Sequence, residues 1–271
     1  MLSEVFSLLN RHKDRELQYV RDYKPHRDDV QHLRVLLYGS AGGGKSSFIS
    51  SVDSVLQGRI TGRALVEANS GPCPSRTYKT YKFQKGRPGN FYPFVFSDTL
   101  GLEMREDSGV HPEDIILAMK GHMRDGYRFN PASKLSGNSQ YYNAEPTLHD
   151  KVHVLVCVVP AVHTSFLSLD NVKKIKDIRG MARIPQLAII TNIDSACKEI
   201  QEDLKNVYLS KNLKETMERF SQLVGIPMSR IFPVKNYHEE IDVNDDADSL
   251  ILSVLRRIID FGEDFINMES H

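Results

Sequence analysis

The hydrophobic positions of this chain follow two patterns, one typical of buried strands and one of amphipathic helices. Short β-branched runs such as residues 152–159 predict strands, whereas apolar residues spaced three and four apart, as in 250–265, predict helices. The predicted strands are Arg34–Tyr38, Thr77–Phe83, Tyr92–Phe96, Val152–Val159, Gln186–Ile190 and Arg230–Val234. The predicted helices are Lys45–Gln57, Pro112–Met123, Leu169–Met181, Leu213–Val224 and Ser249–Met268. Because the two kinds of element alternate, apart from one hairpin, we expect an α/β fold with a mostly parallel sheet, one antiparallel hairpin strand and helices on both faces.

Two stretches stand outside this alternation. Apolar residues scattered among charges predict an amphipathic helix over residues 3–23, so we assign residues 1–30 to an N-terminal helix and 31–271 to the main domain. Residues 125–150 are polar and show no apolar face that could join a core. They are predicted to form a long loop, which is either functional or an unimportant surface insertion.

Composition restricts the classes of protein that fit. The chain holds 35 Lys and Arg and 35 Asp and Glu, and this balance argues against a protein that coats nucleic acid or an anionic membrane. The longest apolar run, Val154–Val159, is far shorter than a membrane span, and the first residues turn charged too soon for a signal peptide. Three widely spaced cysteines, Cys73, Cys157 and Cys197, suit a reducing compartment. We therefore expect a cytoplasmic globular protein without a membrane span.

One segment carries a specific chemical signature. Residues Gly39–Ser46 match G-x-x-x-x-G-K-[ST], and they stand between a predicted strand and a predicted helix, as that motif requires. Glycines let backbone N–H groups curl around a β-phosphate, and the helix N-terminus adds partial positive charge. Lys45 is expected to reach the β- and γ-phosphates, and Ser46 to bind Mg²⁺. The candidate nucleotide-binding residues of this P-loop are Gly39, Ser40, Ala41, Gly42, Gly43, Gly44, Lys45, Ser46 and Ser47.

A second motif follows the predicted strand Tyr92–Phe96. It has the form D-x-x-G, with Asp98 and Gly101 as its fixed positions. Asp98 is expected to hold Mg²⁺ through water, and the Gly101 N–H to meet the γ-phosphate. Leu102 comes directly afterwards, where Ras-like GTPases carry a glutamine that orients the attacking water. Hydrolysis of GTP by the isolated chain is therefore expected to be slow.

A third motif, Thr191-Asn192-Ile193-Asp194, follows the predicted strand Gln186–Ile190 and indicates the base. It looks like the [NT]KxD element of GTPases, in which the Asp carboxylate accepts from N1 and N2 of guanine. Adenine has no such pair of donors, so Asp194 predicts guanine. Asn192 replaces the usual lysine, which is expected to weaken guanine selection. The alternative is an Asx turn that closes a βα loop.

The remaining site residues are assigned from their order along the chain. Lys235 and Asn236 follow the last predicted strand and are expected to present donors, mainly backbone N–H groups, to guanine O6. Switch I needs a Thr or Ser before the second strand as a further Mg²⁺ ligand, and both Ser75 and Thr77 qualify. All four elements occur in GTPase order at strand ends, which predicts a three-layer P-loop NTPase fold of the GTPase-like kind.

Four strings of residues reach beyond these generic motifs: 35–59, Tyr127–Pro131, Val234–Tyr237 and Leu250–Arg257. They resemble the interferon-induced protein 44 and 44-like family, and the similarity runs from about Leu33 to the last helix. The resemblance implies an interferon-inducible, cytoplasmic, antiviral or antiproliferative protein with a P-loop GTPase-like domain. Larger members carry an additional N-terminal TLDc domain, which this chain is expected to lack.

Two functional classes remain open. In the first, the protein is a guanine-nucleotide-binding switch and slow GTPase of the interferon-induced innate or antiviral response, with GTP or GDP and Mg²⁺ as ligands; the intact Lys45 and Ser46 favour it. In the second, a degenerate GTPase fold serves as an interaction scaffold, with the nucleotide either structural or absent, which the altered Asn192 and Leu102 leave possible. An ATP-using kinase is disfavoured because it would not explain Asp194. Protein partners or self-association are expected in either class, and nucleic acid binding is not.

Overall fold

The sheet of this protein has six strands. The computed structural model describes residues 13–62, 77–102, 109–164 and 167–269. The strands are β1 (Leu33–Gly39), β2 (Lys79–Gln84), β3 (Phe91–Asp98), β4 (Val154–Pro160), β5 (Gln186–Thr191) and β6 (Ile231–Pro233). Their order is β2-β3-β1-β4-β5-β6, and every pair is parallel except β2 with β3. The predicted parallel sheet with one antiparallel hairpin strand is thus confirmed.

Six longer helices accompany the sheet in the described ranges. They are α1 (residues 13–22), α2 (Lys45–Gln57), α3 (Pro112–Met119), α4 (Leu169–Met181), α5 (Lys211–Val224) and α6 (Asp245–Met268). Short helical turns that the periodicity did not predict are Ala161–Thr164, Ile193–Ala196, Lys198–Glu202, Leu204–Tyr208 and Met228–Arg230. Helix α6 begins four residues before the predicted Ser249, because Asn244 caps it by accepting from the N–H groups of Asp246 and Ala247, each at 3.0 Å.

The helices cover both faces of the sheet. Val20 of α1, Phe48 of α2 and Ile258 of α6 are fully buried in one core cluster. A second cluster on the other face contains Ile115 of α3 and Phe220 of α5, which are also fully buried. This three-layer arrangement confirms the predicted fold class.

Helix α1 packs against α6. The Tyr23 hydroxyl donates to Glu263 at 2.8 Å, and the Lys13 ammonium lies 2.8 Å from the Asp248 carboxylate. Residues 1–12, where the first half of the predicted N-terminal helix falls, lie outside the described residues. The domain boundary at residue 30 stays a prediction.

The prediction that residues 125–150 have no core face is wrong. Tyr127, Phe129 and Leu135 are all buried, and Asp114 of α3 holds the segment by accepting from the Leu135 N–H at 2.7 Å and from the Tyr127 hydroxyl at 3.1 Å. The segment also joins the chain before β2, where the Tyr78 N–H donates to the Tyr127 carbonyl at 2.8 Å. Single apolar residues spaced irregularly among polar ones have no period, which is why the pattern missed them.

Strand β1 lies at the point where the strand order reverses, with β2 and β3 on one side and β4, β5 and β6 on the other. It pairs with β3 on one side and with β4 on the other. In open α/β sheets, ligands bind beyond the carboxyl ends of the strands at such a switch point. The fold therefore places a binding crevice directly after Gly39.

Candidate nucleotide-binding site

The loop between β1 and α2 has a backbone that only glycine allows at its first position. Gly39 has a φ of 134°, and a Cβ atom there would lie 2.1 Å from the Val158 carbonyl oxygen. At the other end of the loop, Gly44 precedes α2 without any side-chain cap. The N–H groups of the first helical turn, from Lys45 to Ser47, thus have no capping side chain as acceptor, and the helix dipole adds positive potential there. Anions bind at helix ends of this kind.

Lys45 points back over this loop. Its side chain is 6% exposed, and Nζ donates to the Ser40 carbonyl at 3.2 Å. Burial lowers the pKa of Lys45, and the nearby Asp98 carboxylate opposes that shift. The geometry holds a buried cation beside the uncapped first turn of α2.

Asp98 and Ser46 meet at the end of β3. The Ser46 hydroxyl donates to Oδ2 of Asp98 at 2.5 Å. The other oxygen, Oδ1, is buried without a hydrogen-bond partner, although buried polar atoms are nearly always paired. Burial raises the pKa of Asp98, while Lys45, the Ser46 hydroxyl and the Thr99 N–H lower it.

The pair of oxygens from Ser46 and Asp98 fits Mg²⁺. Magnesium prefers oxygen ligands and is usually held by one or two carboxylates together with waters and phosphates. Within the described ranges, no group of three or more His, Cys, Asp and Glu side chains could hold a metal ion.

The two switch I candidates have different outcomes. Thr77 forms an isolated β-bridge with Arg128. It lies two residues before Lys79, and Lys79 pairs with Asp98 of β3. Among the described residues, no hydrogen bond joins Thr77 to Ser46 or Asp98. Ser75 lies outside the described residues.

The segment after β3 is joined to the loop by its backbone. The Leu102 N–H donates to the Gly39 carbonyl at 2.7 Å, and the Ala41 N–H donates to the Leu102 carbonyl at 3.0 Å. Gly101 lies so close that a Cβ atom on it would stand 2.4 Å from the Ala41 Cα. The Leu102 side chain is 2% exposed and belongs to the core cluster that contains Ile115. The N–H groups of Ser40, Ala41 and Gly43 therefore all donate to backbone carbonyls of the protein itself. The Leu102 side chain fills the core.

Residues predicted on the base side also support the loop. Thr191, which is fully buried, donates from Oγ1 to the Gly43 carbonyl at 2.7 Å, and the Asn236 amide donates to the Gly44 carbonyl at 3.1 Å. Both side chains thus fix the glycines of the P-loop. The sequence predicts both residues beside the nucleotide, but it does not predict this supporting contact with the loop.

The other base-side residues lie after β5 and after β6. Asn192 is exposed, adopts a φ of 53°, and precedes the short helix Ile193–Ala196, in whose first turn Asp194 stands half-buried. Asn tolerates this left-handed conformation better than most residues. Lys235 forms an ion pair with Glu240. Although burial acts to raise it, the pKa of Glu240 is lowered to about 2 by the His238 N–H and by Lys235.

Two supporting residues were missed by the sequence motifs. Ser51 Oγ accepts from the Tyr237 N–H at 2.9 Å and donates to the Ser47 carbonyl at 2.7 Å, so it connects the loop after β6 to α2. Thr99 donates from Oγ1 to the Leu37 carbonyl at 2.8 Å. These contacts join residues that are far apart in sequence, and no local pattern marks them.

Comparisons with known proteins fit this geometry. No family model matches the chain. Interferon-induced protein 44 of Homo sapiens is 35% identical over 253 residues, which is 92% of this chain and 56% of that protein. The Mus musculus protein of the same name is 36% identical over 92% of this chain, and Interferon-induced protein 44-like of Homo sapiens is 31% identical over 94% of it. The chain spans little more than half the length of these curated relatives.

The fold resembles that of a solved structure. A dimerization-deficient mutant of Toc33 from Arabidopsis thaliana aligns over 92% of this chain and 91% of its own, with 15% identity and a TM-score of 0.50. Toc33 in complex with GDP and Mg²⁺ aligns over 94% of this chain with 12% identity and a TM-score of 0.49. This chain therefore has a P-loop GTPase fold and is a homologue of the interferon-induced protein 44 and 44-like proteins.

Proposed function

We propose that this protein binds GTP and GDP with Mg²⁺, acts as a guanine-nucleotide switch and hydrolyses GTP slowly, as part of an interferon-induced response. The single observation that carries the nucleotide site is the meeting of Lys45, Ser46 and Asp98 at the carboxyl end of β1, with one Asp98 oxygen buried and unpartnered. The names of the relatives support the interferon-induced response.

The P-loop and the residues that contact it have different parts in this proposal. The N–H groups at the start of α2 and the Lys45 ammonium bind the phosphates, because a buried cation and free donors stabilise negative charge strongly. The Ser46 hydroxyl and, through water, the Asp98 carboxylate would hold Mg²⁺, which would supply charge neutralisation at the phosphates. Thr191 and Asn236 act through the loop, by keeping the carbonyls of its glycines turned away from the phosphates.

Selection of guanine rests on Asp194. A carboxylate accepts from both N1–H and N2–H of guanine, whereas adenine offers no matching pair of donors. Asp194 stands half-buried at the start of a short helix that follows β5, at the same edge of the sheet as the P-loop that follows β1. We expect the protein to bind GTP more tightly than ATP.

Hydrolysis is slow because Leu102 cannot orient water. Its side chain is apolar and packed in the core, so the position used by glutamine in Ras-like GTPases contributes nothing to the attacking water. Faster hydrolysis would need an arginine from another molecule. Arg124 is one such candidate on the surface, and Arg105 lies outside the described residues.

The second candidate function is an interaction scaffold that works without nucleotide. One observation favours it: the Ala41 N–H and the Lys45 ammonium both have acceptors within the protein, so the loop keeps its shape unaided. The two candidates differ in whether the protein binds nucleotide and turns it over.

Nucleotide content, affinity and turnover separate the two. Mass analysis of nucleotide released from purified protein should detect GDP or GTP, and titration should give tighter binding of GTP than of ATP. Single-turnover hydrolysis should run at or below roughly 10⁻⁴ s⁻¹, the intrinsic scale of Ras, and should rise with protein concentration if self-association assists it. Equal affinity for ATP and GTP would refute guanine selection. If the protein bound no nucleotide at all, the interaction scaffold would be the remaining candidate function.

The interferon-induced response needs a separate test. Transcript and protein levels should rise in source cells treated with interferon. Unchanged levels would remove that part of the proposal without touching the nucleotide site.

A further inference from the structure

A second concavity lies at the opposite end of the sheet from the P-loop. It is formed where the chain enters β4 and β5, next to the carboxyl-terminal turn of α6. Its volume is about 460 Å³, within the range of small-molecule sites in proteins. Its walls are mainly apolar, with contributions from Ile116, Met119, Leu148, Val152, Ile184 and Phe265. The cavity can therefore hold an apolar body of moderate size.

Three cations surround the mouth of this cavity. Lys120, Lys151 and Arg183 are exposed lining residues, and none of them forms an ion pair with another described residue. Glu269 is the one acidic residue in the same lining. The rim thus carries an excess of positive charge, although the whole chain is neutral. An apolar cavity with a cationic rim complements a ligand that is apolar at one end and anionic at the other.

One wall residue is both buried and incompletely bonded. His153 is 1% exposed, and its Nδ1 accepts from the Arg34 N–H at 2.9 Å, so the ring proton resides on Nε2. Nε2 is buried with no hydrogen-bond partner. Burial lowers the pKa of His153 to about 4, and the Arg34 charge adds to this shift. At neutral pH the ring is an uncharged donor that lacks an acceptor, which is rare in a protein interior.

We propose that this cavity binds an amphipathic monoanion of the alkyl carboxylate class, with the hydrocarbon inside and the carboxylate at the rim of Lys120, Lys151 and Arg183. Apolar walls favour hydrocarbon over a sugar or a base, and the unpaired cations favour an anion over an amine. The site is separate from the P-loop and does not depend on the proposed nucleotide function.

A homologous series of ligands tests the apolar part. Hexanoate, octanoate and decanoate, each below its micelle concentration, are titrated into the full chain by calorimetry. Each added methylene should tighten binding by about four-fold, since roughly 0.8 kcal/mol accompanies each buried methylene. Decylamine should bind more weakly than decanoate. Saturating GDP with Mg²⁺ should leave the decanoate affinity unchanged, because the two sites are at opposite ends of the sheet.

Variants and a spectroscopic reporter locate the site. The double variant Lys151→Glu and Arg183→Glu should weaken decanoate several-fold, whereas Lys173→Glu with Lys198→Glu, exposed lysines outside the cavity lining, should not. Decanoate should also shift the ring resonances of His153 in NMR spectra, identified by their loss in His153→Gln.

Several results would overturn the proposal. They are an affinity that does not depend on chain length, equal binding of decylamine, equal loss in both double variants, or His153 resonances that do not move at saturation. Binding to anionic phospholipid vesicles without binding to free decanoate would likewise reject it and indicate a membrane-facing surface.

Discussion

Replacing Leu102 by glutamine distinguishes the structure from the sequence motif. By the motif alone, Leu102→Gln restores the residue that orients water in Ras-like GTPases and should speed hydrolysis. In the structure the side chain is 2% exposed and packs in the core, while the backbone is hydrogen-bonded to the P-loop. The variant loses about 1.5–3 kcal/mol of apolar burial, and an unpaired buried amide costs about 1–3 kcal/mol more. We expect a net loss of about 2.5–6 kcal/mol in the free energy of unfolding.

Two assays measure the consequences of this change. Urea unfolding should show the lower stability, and single-turnover hydrolysis of GTP by the folded fraction should be no faster than in the wild type. Leu102→Met is the matched control, because it keeps the volume and should cost less than about 1.5 kcal/mol. A Leu102→Gln protein as stable as the wild type and at least ten-fold faster would show that this side chain reaches the γ-phosphate, and the reasoning would be refuted.

Three further predictions concern the base, the 125–150 segment and pH. Asp194→Asn should weaken GTP and favour xanthosine triphosphate in competition titrations, and an unchanged preference for GTP would contradict the role of this carboxylate. Asp114→Ala should cost about 2–4 kcal/mol in urea unfolding and raise hydrogen exchange at Leu135, since two partners lose their acceptor, whereas Asp114→Asn should cost less. The pKa of His153 is about 4 in the folded state and 6.5 in the unfolded state, so the unfolded chain binds more protons between those pH values. The free energy of unfolding should therefore fall by up to about 3 kcal/mol from pH 7 to pH 4. The fall should be smaller in His153→Gln.

Local chemistry made the P-loop predictable from the sequence. Glycines at fixed spacing, with a strand before and a helix after, are features of one short segment and can be read without knowledge of distant contacts. Lys45 and Ser46 begin the helix directly after β1, as the motif predicts. The position of Asp98 was predictable from its place at the end of a strand, because parallel strands end at one edge of the sheet.

Contacts between distant segments were not predictable. The sequence predicts Thr191 and Asn236 beside the base, yet their side chains donate to the carbonyls of Gly43 and Gly44. Folding of 125–150 depends on a buried carboxylate, Asp114, which lies in a different element and carries no sequence signal for its partners. Such pairings depend on three-dimensional proximity, which no periodicity in the chain encodes.

The central claim is that Lys45 forms part of a nucleotide site, and calorimetric titration of GDP and GTP in the presence of Mg²⁺ tests it most directly. Wild-type protein should bind both nucleotides, and Lys45→Ala should bind them at least ~10-fold more weakly, since a charge-assisted contact contributes about 1.5–3 kcal/mol. Lys198→Ala, an exposed lysine away from the P-loop, should match the wild type. Unchanged affinity in a Lys45→Ala protein with a normal melting temperature, or no binding by the wild type, would contradict the account.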